Sequence, residues 1–300
     1  MYTEIILAFL ISAILTLLFK WVIQKTDSSL YTSVRGGTPR AVGIAPFIAM
    51  LLFINQPFSY LIAVIGIFAL IDDLIGRKRI KNLPFEIGQL SRGIGMLIVA
   101  ILGFFYFGPA SILIALMIQP INISDMQPGS ACSTIIIMCV IAIFSMILAG
   151  SGYFIPAVIL AACIGYAPLD YAGKIMMGEI GNHSFAVGLG IVYALLGGYI
   201  GTIWGFGQYN GSFLGVLFLF IASSLLIAFI RRKNLNKFMN ERLGIKNPYF
   251  GDYVMDVMTG GGLGDLIRRI TLKNREIVIK NKFLVYLGFR RLFYNPYAIN

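Results

Sequence analysis

Residues 66–79 read GIFALIDDLIGRKR, an apolar run that ends on two adjacent aspartates, Asp72 and Asp73, before turning basic. Charged groups at a hydrocarbon boundary are costly, so their presence there calls for a partner or a task. The rest of the chain assigns the run to a membrane. Of 300 residues, 58% are hydrophobic and 12% charged, with a mean hydropathy of +0.84, where soluble domains carry about a quarter charged residues. That balance specifies a polytopic transmembrane helical bundle, all-α, because a lipid-embedded segment must satisfy its backbone hydrogen bonds internally.

With about 20 residues needed per crossing, the apolar runs give about nine spans, at 4–23, 42–56, 59–75, 88–107, 109–121, 132–149, 152–168, 184–204 and 212–230. Breakers fall between them, among them Asn55-Gln56-Pro57, Gly108-Pro109 and Gly150-Ser151-Gly152. The first span has no basic leader and no small-residue cleavage site, so it reads as a retained helix rather than a removed signal. Residues 1–230 form the transmembrane domain and 231–300 a basic cytoplasmic tail. Cys132, Cys139 and Cys163 lie in apolar runs and read as small buried residues. Gly197-x-x-x-Gly201 reads as a close helix contact, and Gly260 to Gly264 as a flexible hinge.

The formal charge is +11, and 14 of the 24 Lys and Arg lie in the last 70 residues. Beside a membrane domain this charge reads as attraction to anionic headgroups, not to nucleic acid. Residues 277–294 mix apolar positions with Lys280, Lys282, Arg290 and Arg291, the pattern of an amphipathic element on the inner leaflet. A partner-binding tail is the alternative.

Charge also orients the chain. Lys20 and Lys25 lie at the end of span one with Arg35 and Arg40 after it, Arg77 to Lys81 follow span three, Lys174 follows span seven and Arg231 to Lys233 follow span nine. The loops after spans two, four, six and eight contain no Lys or Arg. The positive-inside rule then puts the N-terminus outside and the C-terminus in the cytoplasm. In that topology Arg35 to Arg40, Asp72-Asp73, Asn122 with Asp125, and Glu179 to His183 share the cytoplasmic face. Carboxylates with an amide oxygen are ligands that Mg²⁺ prefers, often with a substrate diphosphate, and arginine supplies the bidentate phosphate contact.

The segments RGGTPRAVGI, GIFALIDDLIGRK, NISDMQPGS and MMGEIGNHSFAVGLG, in this order and spacing, resemble the polyprenyl-phosphate N-acetylhexosamine-1-phosphate transferases. That family includes phospho-MurNAc-pentapeptide and GlcNAc-1-phosphate transferases, and the resemblance covers about residues 30–205. Arg35 stands where the family has Lys, and Gly37-Thr38-Pro39, Asp72-Asp73, Asn122 and Asp125 match. Glu179 replaces an Asp, Gln127-Pro128-Gly129 replaces a Gly-x-Asp-Gly ending, and the tenth span and His-rich loop are missing.

The resemblance implies an Mg²⁺-dependent enzyme of the plasma membrane that moves a sugar-1-phosphate from a UDP-N-acetylhexosamine to a polyprenyl phosphate, in cell-wall or surface-glycan synthesis. It implies Asp72, Asp73 and Asp125 as catalytic residues, and Arg35, Thr38, Arg40 and Asn122 as substrate contacts. Asn122 and Glu179 are implied as Mg²⁺ ligands. Membrane lipid is a further expected partner, and a homodimer is compatible with the reading.

Plainer readings exist for each motif. Asp72-Asp73 can be a helix-end charge cluster, Asn122 and Asp125 caps of the following segment, Glu179 an exposed loop acid, and His183 a packing residue. At the level of function, the alternatives are an inactive homologue serving as a scaffold and a transporter. A transporter would place its polar groups near the bilayer midplane.

Overall fold

The helices follow the apolar runs and stop at the breakers. The computed structural model describes residues 2–26, 30–32, 37–76, 78, 86–295 and 298. Helix α1 (Tyr2–Lys25) is followed by a two-residue antiparallel pair, β1 (Tyr31–Thr32) and β2 (Thr38–Pro39). Then come α2 (Ile44–Phe53), α3 (Phe58–Ile75), α4 (Ile87–Phe107), α5 (Ala110–Leu116), α6 (Ile118–Ser124), α7 (Ser130–Ala149), α8 (Phe154–Tyr171), α9 (Gly178–Ile203) and α10 (Gln208–Ile230). Five shorter helices close the chain: α11 (Arg232–Arg242), α12 (Phe250–Thr259), α13 (Gly261–Leu272), α14 (Lys282–Tyr286) and α15 (Phe289–Leu292).

Among the described residues, seven helices are long and apolar enough to cross a membrane: α1, α3, α4, α7, α8, α9 and α10. The protein is therefore an all-α, membrane-embedded bundle. The second and fifth expected spans are shorter. Helix α2 has 10 residues, about 15 Å of rise, because the Asn55-Gln56-Pro57 breaker follows it. The fifth run is broken at Met117 into α5 and α6, since the Pro120 ring crowds the carbonyl four residues earlier, that of Leu116.

Helix α9 is the central element, with 72% of its apolar window buried, packed against α2, α3 and α5 to α8. Glycine and alanine make this possible, because helices in lipid associate through close packing rather than hydrophobic expulsion. Gly197 and Gly201 face Gly211 and Gly215 of α10 so closely that an added Cβ would meet backbone. By contrast, α1 buries a stripe of small residues, Ala8, Ser12 and Thr16, and Ile23 near its end. There Ser12 Oγ donates to the Ala162 carbonyl of α8 at 2.7 Å. Its remaining faces expose residues such as Ile14 and Leu17, which suits a lipid environment. The three cysteines are buried and free.

Helices α3 and α4 run antiparallel. Phe58 at the start of α3 stacks on Phe107 at the end of α4, with ring centroids 5.9 Å apart. The starts of α2, α4 and α9 and the ends of α3 and α6 thus gather at the opposite end of the bundle.

The chain divides into two compact units, 1–221 and 222–300, with the boundary inside α10. The second unit is a folded module. Helix α12 packs on α14 and α15, and the buried Arg291 Nε donates to Asp256 Oδ1 at 2.6 Å. Residues 277–294 contain two short helices, α14 and α15, preceded by chain without regular secondary structure. The expected hinge is instead the start of α13: the Gly260 N–H caps α12 by donating to Asp256 O at 2.7 Å, and the helix follows at once.

Candidate functional site

Successive side chains on a helix diverge by about 100°, so Asp72 and Asp73 at the end of α3 serve different partners. Asp73 turns inward and is fully buried. Its Oδ2 accepts the Ile180 N–H at 3.0 Å, and its backbone carbonyl accepts from Arg40 Nη2 at 2.5 Å. Asp72 is partly exposed and accepts from Arg92 Nη2 of α4 at 2.9 Å. Its Oδ1 lies where a Cβ at Gly76 or Gly88 would sit, so those two glycines make room for the carboxylate.

The first amides of a helix lack intrahelical acceptors. At the start of α9 they find them in side chains distant in sequence. Asp125, fully buried, accepts the Met177 N–H at 3.4 Å and the Gly178 N–H at 3.1 Å. Asn182 Nδ2 adds a third donor to Asp125 at 3.1 Å and also reaches Asn122 Oδ1 at 3.4 Å. Negative charge at a helix N-terminus is favourable through the dipole as well. Asp125 is thus a cap, but of α9 rather than of the segment following it. Gly178 adopts φ +72°, and a Cβ there would meet the Ala41 backbone and Asp73. The Arg40 segment is tied to the same place by Gly43 N–H to Met177 O at 3.0 Å and Met176 N–H to Pro39 O at 2.8 Å.

Glu179 stands on the first turn of α9 and is not a free loop acid. Its Oε2 lies 3.0 Å from Arg92 Nη2 and 3.0 Å from His183 Nε2. Neither approach has hydrogen-bond alignment; the first is an ion pair, and the second carries charge only when the imidazole is protonated. Arg92 therefore sits between two carboxylates, those of Asp72 and Glu179.

Of the residues expected from sequence, the fold brings together Arg40, Asp72, Asp73, Asn122, Asp125 and Glu179. Thr38 lies on β2, two residues before Arg40, and Arg35 lies outside the described residues. Asp73 and Asp125, expected as catalytic, are fully buried and engaged by amides of α9. The partly exposed polar groups are Arg40, Asp72, Arg92, Asn122 and Glu179. Arg92, Asn182 and His183 are additions to the expected set. Arg92 was visible in the sequence as an arginine inside an apolar span, itself a functional mark.

Several polar atoms here are buried without a hydrogen-bond partner: Arg40 Nε, Asp73 Oδ1, Arg92 Nε, Asn182 Oδ1 and both ring nitrogens of His183. Folded proteins leave few such atoms, and a group of them beside these carboxylates is compatible with a polar ligand; Asp252, Arg268, Arg290 and Arg291 of the second unit carry such atoms as well. The cluster holds four carboxyl groups against two guanidiniums. That excess of acid, with the unpartnered oxygens of Asp73 and Asn182, fits a divalent cation. No three His, Cys, Asp or Glu among the described residues form a preformed metal cage, an arrangement Mg²⁺ does not need when substrate and water supply most ligands. Compared with known protein families and with curated proteins, the chain has no match.

Proposed function

We propose that this site transfers a sugar-1-phosphate of the N-acetylhexosamine class from a UDP-sugar to a polyprenyl phosphate. A lipid-phosphate oxygen attacks the β-phosphorus of the UDP-sugar. The bond from that phosphorus to the bridging oxygen breaks, UMP leaves, and the sugar diphosphate stays on the lipid. Phosphoryl transfer asks a protein mainly for positioning and charge neutralisation. The observation that carries the reading is one cluster, at one end of a membrane bundle, of two arginines, four carboxyl groups and unsatisfied buried polar atoms.

The partly exposed groups take the substrate-facing roles. Arg40 and Arg92 offer guanidinium N–H groups to phosphate oxygens. Asp72 receives the residual proton of the lipid phosphate, whose second pKa near ~6 makes this a light task. Asn122 and Glu179 would hold Mg²⁺, which when bound neutralises the diphosphate. Asp73 and Asp125 act as positioning residues that fix the start of α9. The site end of the bundle faces the cytoplasm of the plasma membrane, with nine crossings, the N-terminus outside and the tail inside.

An inactive homologue is the second reading, favoured by the ionic contact that already holds Glu179 to Arg92. The deciding experiment measures UMP release by the purified protein with UDP-GlcNAc and undecaprenyl phosphate across Mg²⁺ concentrations, for wild type and Glu179→Gln. The proposal expects metal-dependent release and a requirement for more Mg²⁺ in the variant. An active wild type whose metal curve the variant leaves unchanged removes Glu179 from the metal site. No release across several UDP-sugars supports the inactive homologue.

A further inference from the structure

The second unit is built with its charge turned inward and part of its apolar surface turned outward. Residues 231–300 contain 14 Lys and Arg against five acids. Three of those acids are taken up inside the unit: Asp252 meets Arg290 at 2.6 Å, Asp256 meets Arg291 at 2.6 Å and Asp265 meets Arg268 at 2.6 Å. The outer shell is therefore strongly basic, with Lys273, Arg275, Lys280 and Lys282 all exposed.

Helix α13 shows the inversion most clearly. Arg268 is buried on its inward face and pairs with Asp265, one turn earlier and 34% exposed. Ile267 and Ile270 lie on the opposite face, 54% and 66% exposed. A helix bathed in water buries its isoleucines and exposes its ion pair. Farther along, Val278 and Phe283 are 67% and 68% exposed, on either side of Lys280 and next to Lys282. Large apolar side chains interleaved with lysine are the composition of a surface that enters the headgroup layer of an anionic bilayer.

We propose that the second unit docks onto anionic lipid through Ile267, Ile270, Val278 and Phe283, with Lys273, Lys280 and Lys282 meeting the headgroups. Two observations select lipid as the occupant. The basic shell is complementary to anionic headgroups, and the unit begins within α10, a helix long and apolar enough to cross a membrane. Tethering makes the encounter intramolecular, so a shallow apolar surface is sufficient. The proposal does not depend on the transferase reading.

The test places a nitroxide at Ile270→Cys or Phe283→Cys in the full chain, with the wild-type chain as the background for its three buried cysteines. Each variant is placed in nanodiscs of phosphatidylcholine, alone or with phosphatidylglycerol, and its accessibility to oxygen and to an aqueous nickel complex is compared. With phosphatidylglycerol the labels become oxygen-accessible and nickel-shielded, and 1 M salt reverses this by screening. Each lysine among Lys273, Lys280 and Lys282 replaced by Glu then weakens docking by at least about fivefold, from the contribution of one cation near an anionic surface. Equal nickel accessibility in both lipids overturns the proposal. So does shielding that persists in phosphatidylcholine and grows with protein concentration, which would identify a second copy as the occupant.

Discussion

Arg92 is the residue on which the site's charge balance turns. Its guanidinium touches two carboxylates, Asp72 at 2.9 Å and Glu179 at 3.0 Å. Without it two acids face each other at partly buried positions, where like charges repel strongly. Arg92→Gln should lower UMP release by at least about 10²-fold, the scale of removing one preorganised charge-stabilising donor. Arg92→Lys should recover part of that loss, because an ammonium is a single point charge that cannot span both partners as a planar fork does. Asp72→Asn should also lose at least about 10²-fold while the protein keeps its yield and thermal midpoint. Near-normal turnover in Asp72→Asn returns that carboxylate to a helix-end role. The sequence made Asp72 and Glu179 legible through motifs, but marked Arg92 only as an arginine within an apolar span and not as the cation between them. Arg92 lies in no motif, and its partners are 20 and 87 residues away.

The start of α9 shows what side-chain capping at long range does for an element. Asp125 and Asp73 supply acceptors for three amides, those of Met177, Gly178 and Ile180. Asp125→Ala should strand two of these in a buried place, at a cost of about 1–3 kcal/mol for each unsatisfied group. The expected result is a thermal midpoint in detergent lower by at least about 4 °C, with activity reduced alongside. A variant as stable as wild type would show that α9 does not depend on this cap. Helix existence was readable from the apolar runs, as were the α9–α10 glycine contact and the burial of the cysteines. Helix length was less so, because Pro120 acts on the backbone four residues earlier and splits a run whose composition is largely apolar. The role of Asp125 was not readable at all, since its amide partners follow it by 52 and 53 residues.

At the scale of the molecule, the proposed function stands on all the site segments facing the cytoplasm, and the short helix α2 tests that requirement most sharply. Its 10 residues rise about 15 Å, half of a hydrocarbon core of about 30 Å. Yet it leaves the site end beside Arg40 and leads into α3, whose first turn stacks on the far end of α4. The polar connection Asn55-Gln56-Pro57 must then lie close beneath the outer surface, with Asn55 and Gln56 exposed. Single cysteines at Asn55 and Gln208 should react with an impermeant maleimide added outside intact cells, Asn55 the more slowly of the two. Cysteines at Lys78 and Asn240 should react only after the membrane is opened. Labelling of Lys78 and Gln208 from the same side would separate the clusters that the proposed chemistry needs together. Labelling of Asn55 from the cytoplasmic side would remove the α2 crossing, leaving eight, and leave the Arg40 segment and Asp73 without a common face.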